Sequence, residues 1–88
     1  MKVESSSQFL VDLQSLKDKK LKQRVFDKIE YLEAIKSLAA IGDLKKLKGF
    51  RNAYRLRIGE YRLGFLLIGD IIVLSRFLSR QLIYRYFP

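Results

Sequence analysis

The sequence predicts an α+β fold, in which a short N-terminal strand and a helical hairpin pack on a twisted antiparallel sheet. Apolar residues recur at helical spacing between Phe9 and Leu32, and from Tyr54 onward their period changes from about 3.6 residues to about 2. The length of 88 residues, of which 49% are hydrophobic, allows one small core. We therefore expect residues 1–88 to form one domain with the element order β-α-α-β-β-β.

The N-terminal part predicts a short strand and two amphipathic helices. Lys2–Glu4 is the candidate strand, and the spacing of Ser5 and Gln8 matches a capping box that begins a helix of about ten residues. Asp18–Lys20 then forms a polar break. A second, longer helix is predicted by apolar residues at steps of four, four and three, which are Leu21, Val25, Ile29 and Leu32.

The dipeptide Gly59-Glu60 lies between two alternating segments and predicts a two-residue hairpin turn, with Gly59 in the position that needs a positive φ. Counting outward from this turn pairs Arg57 with Arg62 and Arg55 with Gly64. The three arginines then share one face of the sheet, and Gly64 leaves a shallow floor there for a nucleotide backbone. The opposite face is apolar and contains Tyr54, Leu56, Ile58, Tyr61, Leu63 and Phe65.

A second turn at Gly69-Asp70 predicts a third strand over residues 71–78. Its register is regular as far as Leu74, but further counting places Arg76 on the core side. Since that position is unfavourable for a cation, either a bulge near Ser75 shifts the strand or the pairing ends there. Counting alone does not assign a face to Arg76 or Arg80.

The last ten residues, 79–88, are expected to form a short tail with two tyrosines beside two arginines. Aromatic rings and guanidinium groups together are used in the recognition of single-stranded RNA. We expect Tyr86 and Phe87 to cap the core, whereas Tyr84 is equally suited to stacking on a base and to packing.

Positive charge is concentrated in the C-terminal half of the chain, which has a net charge of +9 in total. Residues 1–43 contain 8 basic and 7 acidic side chains, whereas residues 44–88 contain 10 basic and 2 acidic ones. Because such clustering opposes folding through self-repulsion, an anionic partner explains it, and nucleic acid is the leading candidate. The alternatives are an acidic protein and a solvated face that only aids solubility.

The residue types that are missing exclude several kinds of chemistry. The chain has no cysteine and no histidine, which excludes Ser–His, Cys–His and metal-hydroxide mechanisms, so we expect neither a metal nor another cofactor. No apolar stretch approaches the length of a membrane span, and no signal peptide is visible. We therefore expect a cytoplasmic location without membrane association.

Several segments together resemble the RelE/ParE superfamily of bacterial type II toxin–antitoxin toxins, and its RelE-like branch in particular. They are the LKKLKG segment of residues 44–49, the YRLR segment of residues 54–57, the GEYRL segment of residues 59–63, and Arg80 with Tyr84-Arg85. The resemblance covers almost the whole chain. It implies the RelE-like fold and a metal-independent endoribonuclease that cuts messenger RNA in the ribosomal decoding site.

The resemblance also implies roles for individual residues. Four of them match catalytic positions, and these are Arg57, Arg62, Arg80 and Tyr84. Five further residues are candidates for RNA binding, namely Lys45, Lys46, Lys48, Arg55 and Arg85. Ser79 stands where many members have histidine, which puts the efficiency of cleavage in doubt.

The implied reaction is attack of a ribose 2′-hydroxyl on the adjacent phosphorus, with arginines stabilising the charge that develops on the phosphate. The alternatives are a ParE-like toxin that inhibits gyrase without nuclease activity and a catalytically weakened member that only binds RNA. The resemblance further implies a cognate antitoxin, with oligomers formed only through it. The exposed side of the helical hairpin and the Lys45–Lys48 segment are the candidate docking surfaces.

Overall fold

The computed structural model describes all residues from Met1 to Pro88 and begins with one strand and two helices. These are β1 (Lys2–Ser5), α1 (Ser7–Gln14) and α2 (Lys19–Ala34). The N-cap of α1 is Ser6, whose hydroxyl accepts the N–H of Phe9 at 3.1 Å. The predicted cap at Ser5 is therefore wrong by one residue, because Ser5 still belongs to β1.

The start of α2 is fixed by Asp18, whose carboxylate accepts the N–H groups of Lys20 and Leu21 at 3.0 and 3.1 Å. Lys19 and Lys20 are therefore the first residues of the helix, and the polar break ends at Asp18. Val25 and Leu32 of the predicted apolar stripe are fully buried.

The rest of the chain is a single 3₁₀ turn, four strands and one more helix. The turn is Leu38–Ala40, and the strands and the helix are β2 (Leu44–Lys46), β3 (Ala53–Ile58), β4 (Tyr61–Ile68), β5 (Ile71–Ser79) and α3 (Arg80–Tyr86). The sequence reasoning did not predict β2, which lies in the expected loop, or α3, which lies in the expected tail.

The five strands form one sheet in the order β1-β5-β4-β3-β2. The predicted α+β class is confirmed, and β3, β4 and β5 form the expected antiparallel meander. The sheet as a whole is mixed, because β1 pairs in parallel with β5 along Lys2–Ser5 and Ile71–Leu74. No helix is both long enough and apolar enough to cross a membrane.

The predicted strand register is confirmed at both hairpins. Gly59 and Gly69 each have a φ of 60° in their turns, and Arg57 pairs with Arg62 as counted. On β5 the register shifts by one residue, so that Phe65 pairs with Leu74 while Gly64 pairs with Arg76. Of the two alternatives considered for this strand, the bulge is therefore the one that occurs.

The main core fills the space between the sheet and the first two helices. It consists of twelve residues, which are Phe9, Leu13, Val25, Leu32, Ile41, Leu56, Ile58, Leu63, Phe65, Ile72, Leu74 and Phe77. Two aromatic pairs stack at its margin, Tyr54 on Phe65 and Tyr61 on Phe77, with ring centroids 5.4 and 5.1 Å apart. All six residues expected on the apolar face therefore point to this core or its margin.

A second, smaller core lies on the other face of the sheet, beneath α3. Its buried members are Leu47, Ala53, Ile83 and Phe87. The burial of Phe87 was predicted, but Tyr86 is 52% exposed and does not cap the core. The Phe87 ring also occupies the space over Gly64, where a Cβ atom would lie 2.6 Å from Cδ2 of Phe87. The expected floor for a nucleotide at Gly64 is therefore filled.

Candidate functional site

The face of the sheet opposite α1 and α2 carries a set of cations, which we call the arginine face and define by Arg55, Arg57 and Arg62. Two pairs of like charges lie directly opposite one another on neighbouring strands, Lys45 with Arg55 and Arg57 with Arg62. Each such pair destabilises the free protein by a few tenths to about 1 kcal/mol. The cross-strand pairing therefore predicts an anionic ligand on this face.

None of these cations is paired with a carboxylate of the protein. The ion pairs within 4.0 Å join Lys2 to Glu4 and Arg76 to Asp12 only. The charge of the arginine face is consequently left for a ligand or for solvent counterions.

Arg62 is half-buried and held in place by the hairpin turn. Its Nη1 donates hydrogen bonds to the carbonyl oxygens of Gly59 and Tyr61, at 3.0 and 2.9 Å. Two backbone acceptors on one nitrogen orient the guanidinium plane while Nε and Nη2 keep no partner in the protein. Such an oriented cation suits the stabilisation of charge that develops on a phosphate.

Tyr84 reaches the arginine face from α3. The guanidinium carbon of Arg55 lies 4.3 Å from the centroid of the Tyr84 ring, and Tyr84 remains 62% exposed. The cation–π contact fixes the ring, and its exposure leaves it available to a ligand. The sequence analysis gave packing and stacking equal weight for Tyr84. The structure shows that this side chain packs on Arg55 and still exposes its ring.

The beginning of α3 lies beside the turn between β3 and β4. The N–H of Arg80 donates to the carbonyl oxygen of Glu60 at 2.9 Å. An open concavity forms between the two elements and is lined by Glu60, Ser79, Arg80, Gln81 and Tyr84. Arg80 and Tyr84, predicted from separate positions, are therefore neighbours there.

Ser79 has a structural role at this concavity, because its hydroxyl caps α3 by accepting the N–H of Leu82 at 3.4 Å. Glu60 is the carboxylate of the concavity, and the sequence reasoning assigned it only to the turn. Glu60 lies next to Arg80 because the pairing of β4 with β5 extends to Tyr61 and Ser79. The sequence reasoning followed this register only as far as Leu74 and therefore did not identify the contact.

Arg57 is exposed and lies near the C-terminal end of β3, beside α2. It lines a second concavity with Arg24, Asp27, Lys28, Tyr31, Asp43 and Ile58. Arg24 was not predicted as a site residue, yet its guanidinium lies directly over the glycine of the turn, at 2.8 Å from the position of a Gly59 Cβ atom. The cations of the arginine face therefore continue onto α2.

Of the remaining predicted site residues, two lie in a concavity of the arginine face and two do not. Lys45 and Lys48 line a third concavity together with Arg55. Lys46 is exposed but pairs with Tyr54 on β3, so it points to the other side of the sheet from Lys45. Arg85 is exposed in the last turn of α3 and lines none of the three concavities.

Arg76 lies on the same side of the sheet as the arginine face but is held by the protein itself. Its Nε and Nη2 donate to the Asp12 carboxylate at 2.8 and 3.1 Å. The hydrogen bond to Asp12 raises the pKa of Arg76 above its ordinary value, against the opposing effect of burial. This arginine is therefore a structural cation.

No group of three or more carboxylates forms a cluster that could hold a metal ion. The oriented guanidinium groups of the site, with a tyrosine and a glutamate beside them, suit the binding of a polyanion. Fold and site together define a small α+β domain that gathers unpaired cations on one face of its sheet.

The chain was compared with protein families and with proteins of known structure. No family model matches the chain. The crystal structure of the RelB–RelE antitoxin–toxin complex from Methanococcus jannaschii contains a chain with 36% sequence identity and a TM-score of 0.81, and the match covers 97% of this chain and 99% of that one. The archaeal RelE–RelB complex from Pyrococcus horikoshii OT3 matches at 26% identity with a TM-score of 0.71, over 90% and 93% of the two chains.

A third match is shorter. Toxin RelE3 of Methanocaldococcus jannaschii is 52% identical over 46 residues, a segment that spans 52% of each chain. The identity of 36% over nearly the full length of both chains shows the family, and the protein belongs to the RelE family of toxins.

Proposed function

We propose that this protein is the toxin of a toxin–antitoxin module and that it cleaves messenger RNA in the ribosomal decoding site. The observation that carries the proposal is the arginine face, on which Arg57 lies opposite Arg62 and neither forms an ion pair. Arg55 of the same face contacts Tyr84, which lines one concavity together with Arg80. A phosphodiester backbone is the anion that several closely spaced guanidinium groups fit best. Membership of the RelE family supports the same activity.

In the proposed reaction the 2′-oxygen forms a bond to phosphorus while the bond from phosphorus to the 5′-oxygen breaks. The departing 5′-oxygen takes up a proton from solvent water, so the products are a cyclic phosphate and a 5′-hydroxyl, and no metal takes part. Arg62 and Arg80 stabilise the negative charge that develops on the nonbridging oxygens. Arg55 and Arg57 hold neighbouring phosphates, and Tyr84 stacks on a base or orients the nucleophile.

Proton transfer is the weak point of this chemistry, because the chain has no histidine. Glu60 lines the concavity that contains Arg80 and Tyr84, and we assign it as the acceptor of the 2′-hydroxyl proton. Without a strong acid–base pair, much of the rate must come from holding the RNA in line for attack. The ribosome supplies that alignment, so cleavage of free RNA is expected to be poor.

Ser79 bears on the activity through its structural role. Its side chain is engaged with the backbone of α3, so it serves to position the helix that carries Arg80 and Tyr84. In this proposal the loss of the common family histidine lowers the rate of proton transfer and leaves binding of the RNA intact.

The test is cleavage of messenger RNA on ribosomes, with the RNA ends mapped by primer extension. Replacement of Arg62 by Ala should lower the cleavage rate by about two to three orders of magnitude, as expected for the loss of an oriented donor. Arg62→Lys keeps the positive charge but loses the planar guanidinium group, so it should retain only part of the cleavage rate. Glu60→Gln should lower the rate by about a hundredfold or more. Lys17→Ala serves as the control for the loss of a positive charge.

Cleavage that survives Arg62→Ala unchanged would refute the assignment of the site. A wild-type protein that leaves ribosomal messenger RNA intact but inhibits DNA supercoiling by gyrase would instead identify the ParE-like alternative. Salt-sensitive RNA binding without toxicity on expression would identify a passive binding member.

The proposal includes a cognate antitoxin, since the two related RelE structures were solved as complexes with RelB. An acidic segment would neutralise the arginine face, and the Lys45–Lys48 segment with the exposed apolar side chains of the first two helices would provide docking surface. The exposed apolar residues there are Leu10, Val11 and Phe26. Co-expression with the adjacent open reading frame should restore growth and yield a co-purifying complex.

A further inference from the structure

A concavity on the arginine face lies apart from Arg80 and Glu60, on the β2 side of α3. It combines three cations, an exposed aromatic ring and an apolar floor. Its lining residues are Lys45, Leu47, Lys48, Phe50, Arg55 and Pro88. No carboxylate is among them, and none of the three cations takes part in an ion pair.

The loop that carries Phe50 is anchored at both ends. The N–H of Leu47 donates to the carbonyl oxygen of Ala53 at 2.9 Å, and Asn52 accepts the N–H of Leu67 at 2.8 Å. Leu47 is buried in the core beneath α3. The chain turns at Gly49, whose φ is +82°, and Phe50 follows with 50% of its surface exposed. A large apolar ring is therefore presented to solvent from a fixed loop.

Arg55 connects this concavity to the proposed cleavage site. One side of its guanidinium is packed on Tyr84, and its Nε is buried without a hydrogen-bond partner. Arg55 and Arg57 are two residues apart on β3, which is about 6.6 Å along the strand. That distance is comparable to the spacing of successive phosphates in a nucleic-acid strand.

We propose that the concavity formed by Lys45, Lys48, Phe50 and Arg55 is a subsite for the nucleotide next to the cleaved bond, an inference that rests on the proposed function. The two lysines and Arg55 hold its phosphate, and its base stacks on the Phe50 ring. Stacking on an aromatic side chain tolerates any base, so this subsite supplies affinity and alignment without selecting a sequence.

The experiment measures binding of a labelled single-stranded 2′-O-methyl RNA of about six nucleotides, which cannot be cleaved because its 2′-oxygen is blocked. Phe50→Ala should weaken binding by about tenfold or more, and Phe50→Leu should behave in the same way although it keeps an apolar side chain. Phe50→Trp should bind as tightly as the wild type or more tightly. Ile68→Ala is the control, because Ile68 is also an exposed apolar residue, at 53%, but lies at the end of β4 outside the proposed sites.

Neutralising both lysines, as Lys45→Gln with Lys48→Gln, should make the slope of log affinity against log salt shallower by about 1 to 1.5. Since Phe50 and both lysines are at the surface, thermal unfolding midpoints close to that of the wild type will show that all variants fold. Binding by Phe50→Ala within twofold of the wild type would overturn the subsite. The subsite would also be overturned if Phe50→Ala weakened only the binding of the antitoxin, because that result would assign the concavity to a protein ligand.

The subsite and the proposed function fail in different ways. If the wild type cleaves ribosomal messenger RNA and Phe50→Ala binds the oligonucleotide normally, the subsite is wrong and the nuclease assignment stands. If the wild type leaves messenger RNA intact but Phe50→Ala loses affinity for the oligonucleotide, the nuclease assignment is wrong and the RNA subsite stands.

Discussion

At the scale of single residues, similar cations have different roles because of their immediate neighbours. Arg62 is oriented by two carbonyl oxygens of its own hairpin and keeps free donors. Arg76 is held by Asp12, which also accepts the backbone N–H of Phe77 at 2.9 Å. Because the register shift turns Arg76 away from the core, Asp12 at the end of α1 serves both as its counterion and as the acceptor of the Phe77 N–H.

Replacing Asp12 by Ala should destabilise the protein by about 2 to 3 kcal/mol, because it leaves a strand N–H and a partly buried guanidinium unpaired. The Asp12 side chain is only 7% exposed and that of Arg76 is 24% exposed, so solvent replaces the lost partner poorly. Unfolding in urea, monitored by circular dichroism, measures the change.

The exposed pair of Lys2 and Glu4 provides the control, with side chains 69% and 51% exposed. Glu4→Ala should change the stability by less than about 1 kcal/mol. Equal effects of the two substitutions would contradict the structural role of Asp12.

At the scale of elements, α3 is the part of the fold that converts a cationic sheet into a site. It brings Arg80 and Tyr84 next to the hairpin turn and seals the second core with Ile83 and Phe87. Ile83 and Phe87 are four residues apart and Ser79 precedes them as a cap, so the sequence does contain a local signal for this helix. Seven residues are too few for a stable isolated helix, so the packing against the sheet is what stabilises α3.

Gly64→Ala should destabilise α3 selectively. A Cβ atom at this position would lie within 2.6 to 2.9 Å of the Phe87 ring, which must move away from the sheet. We expect a loss of about 1 to 3 kcal/mol in unfolding free energy, together with weaker cleavage, since Arg80 and Tyr84 move with the helix.

Urea unfolding and the ribosomal cleavage assay measure these two effects. Gly42→Ala is the matched control, because a Cβ atom there meets nothing within 4 Å. If Gly64→Ala lowered neither stability nor cleavage, Phe87 would not be anchoring α3 over the sheet.

At the scale of the whole molecule, the arrangement of charge matters more than its total of +9. Lys45 and the three arginines of the arginine face lie unpaired on one side of the sheet. The like-charged pairs that they form across the strands raise the free energy of the unliganded protein. A polyanion bound to that face removes this destabilisation. Its affinity should therefore depend strongly on the salt concentration and on which cations of the protein are neutralised.

For single-stranded RNA, contacts to three to five phosphates predict a slope of about −2 to −3.5 for log affinity against log salt. Neutralising Arg57 and Lys45 together, as Arg57→Gln with Lys45→Gln, should make the slope shallower by about 1 to 1.5. Fluorescence anisotropy of a labelled oligonucleotide at several salt concentrations measures it.

The control for this prediction is Lys17→Gln with Lys36→Gln, which lowers the net charge by the same amount. Neither lysine lines a concavity of the arginine face. It should leave the slope nearly unchanged. An equal change from both double variants would mean that net charge alone governs binding.

The sequence by itself determined the two hairpins, their register as far as Leu74 on β5, and the face that each β3 and β4 side chain occupies. Two-residue glycine turns and a period of 2 are local, so counting was sufficient to pair Arg57 with Arg62. It also determined the asymmetry of charge and the absence of imidazole and thiol chemistry.

Only the tertiary structure decided how α3 crosses the sheet, that β1 joins in parallel with β5, and that Phe87 fills the space over Gly64. It also decided that Asp12 pairs with Arg76 and that Glu60 lies beside Arg80. These contacts join residues 20 to 69 positions apart, and they depend on how packed surfaces meet. No local periodicity or turn signal contains that information.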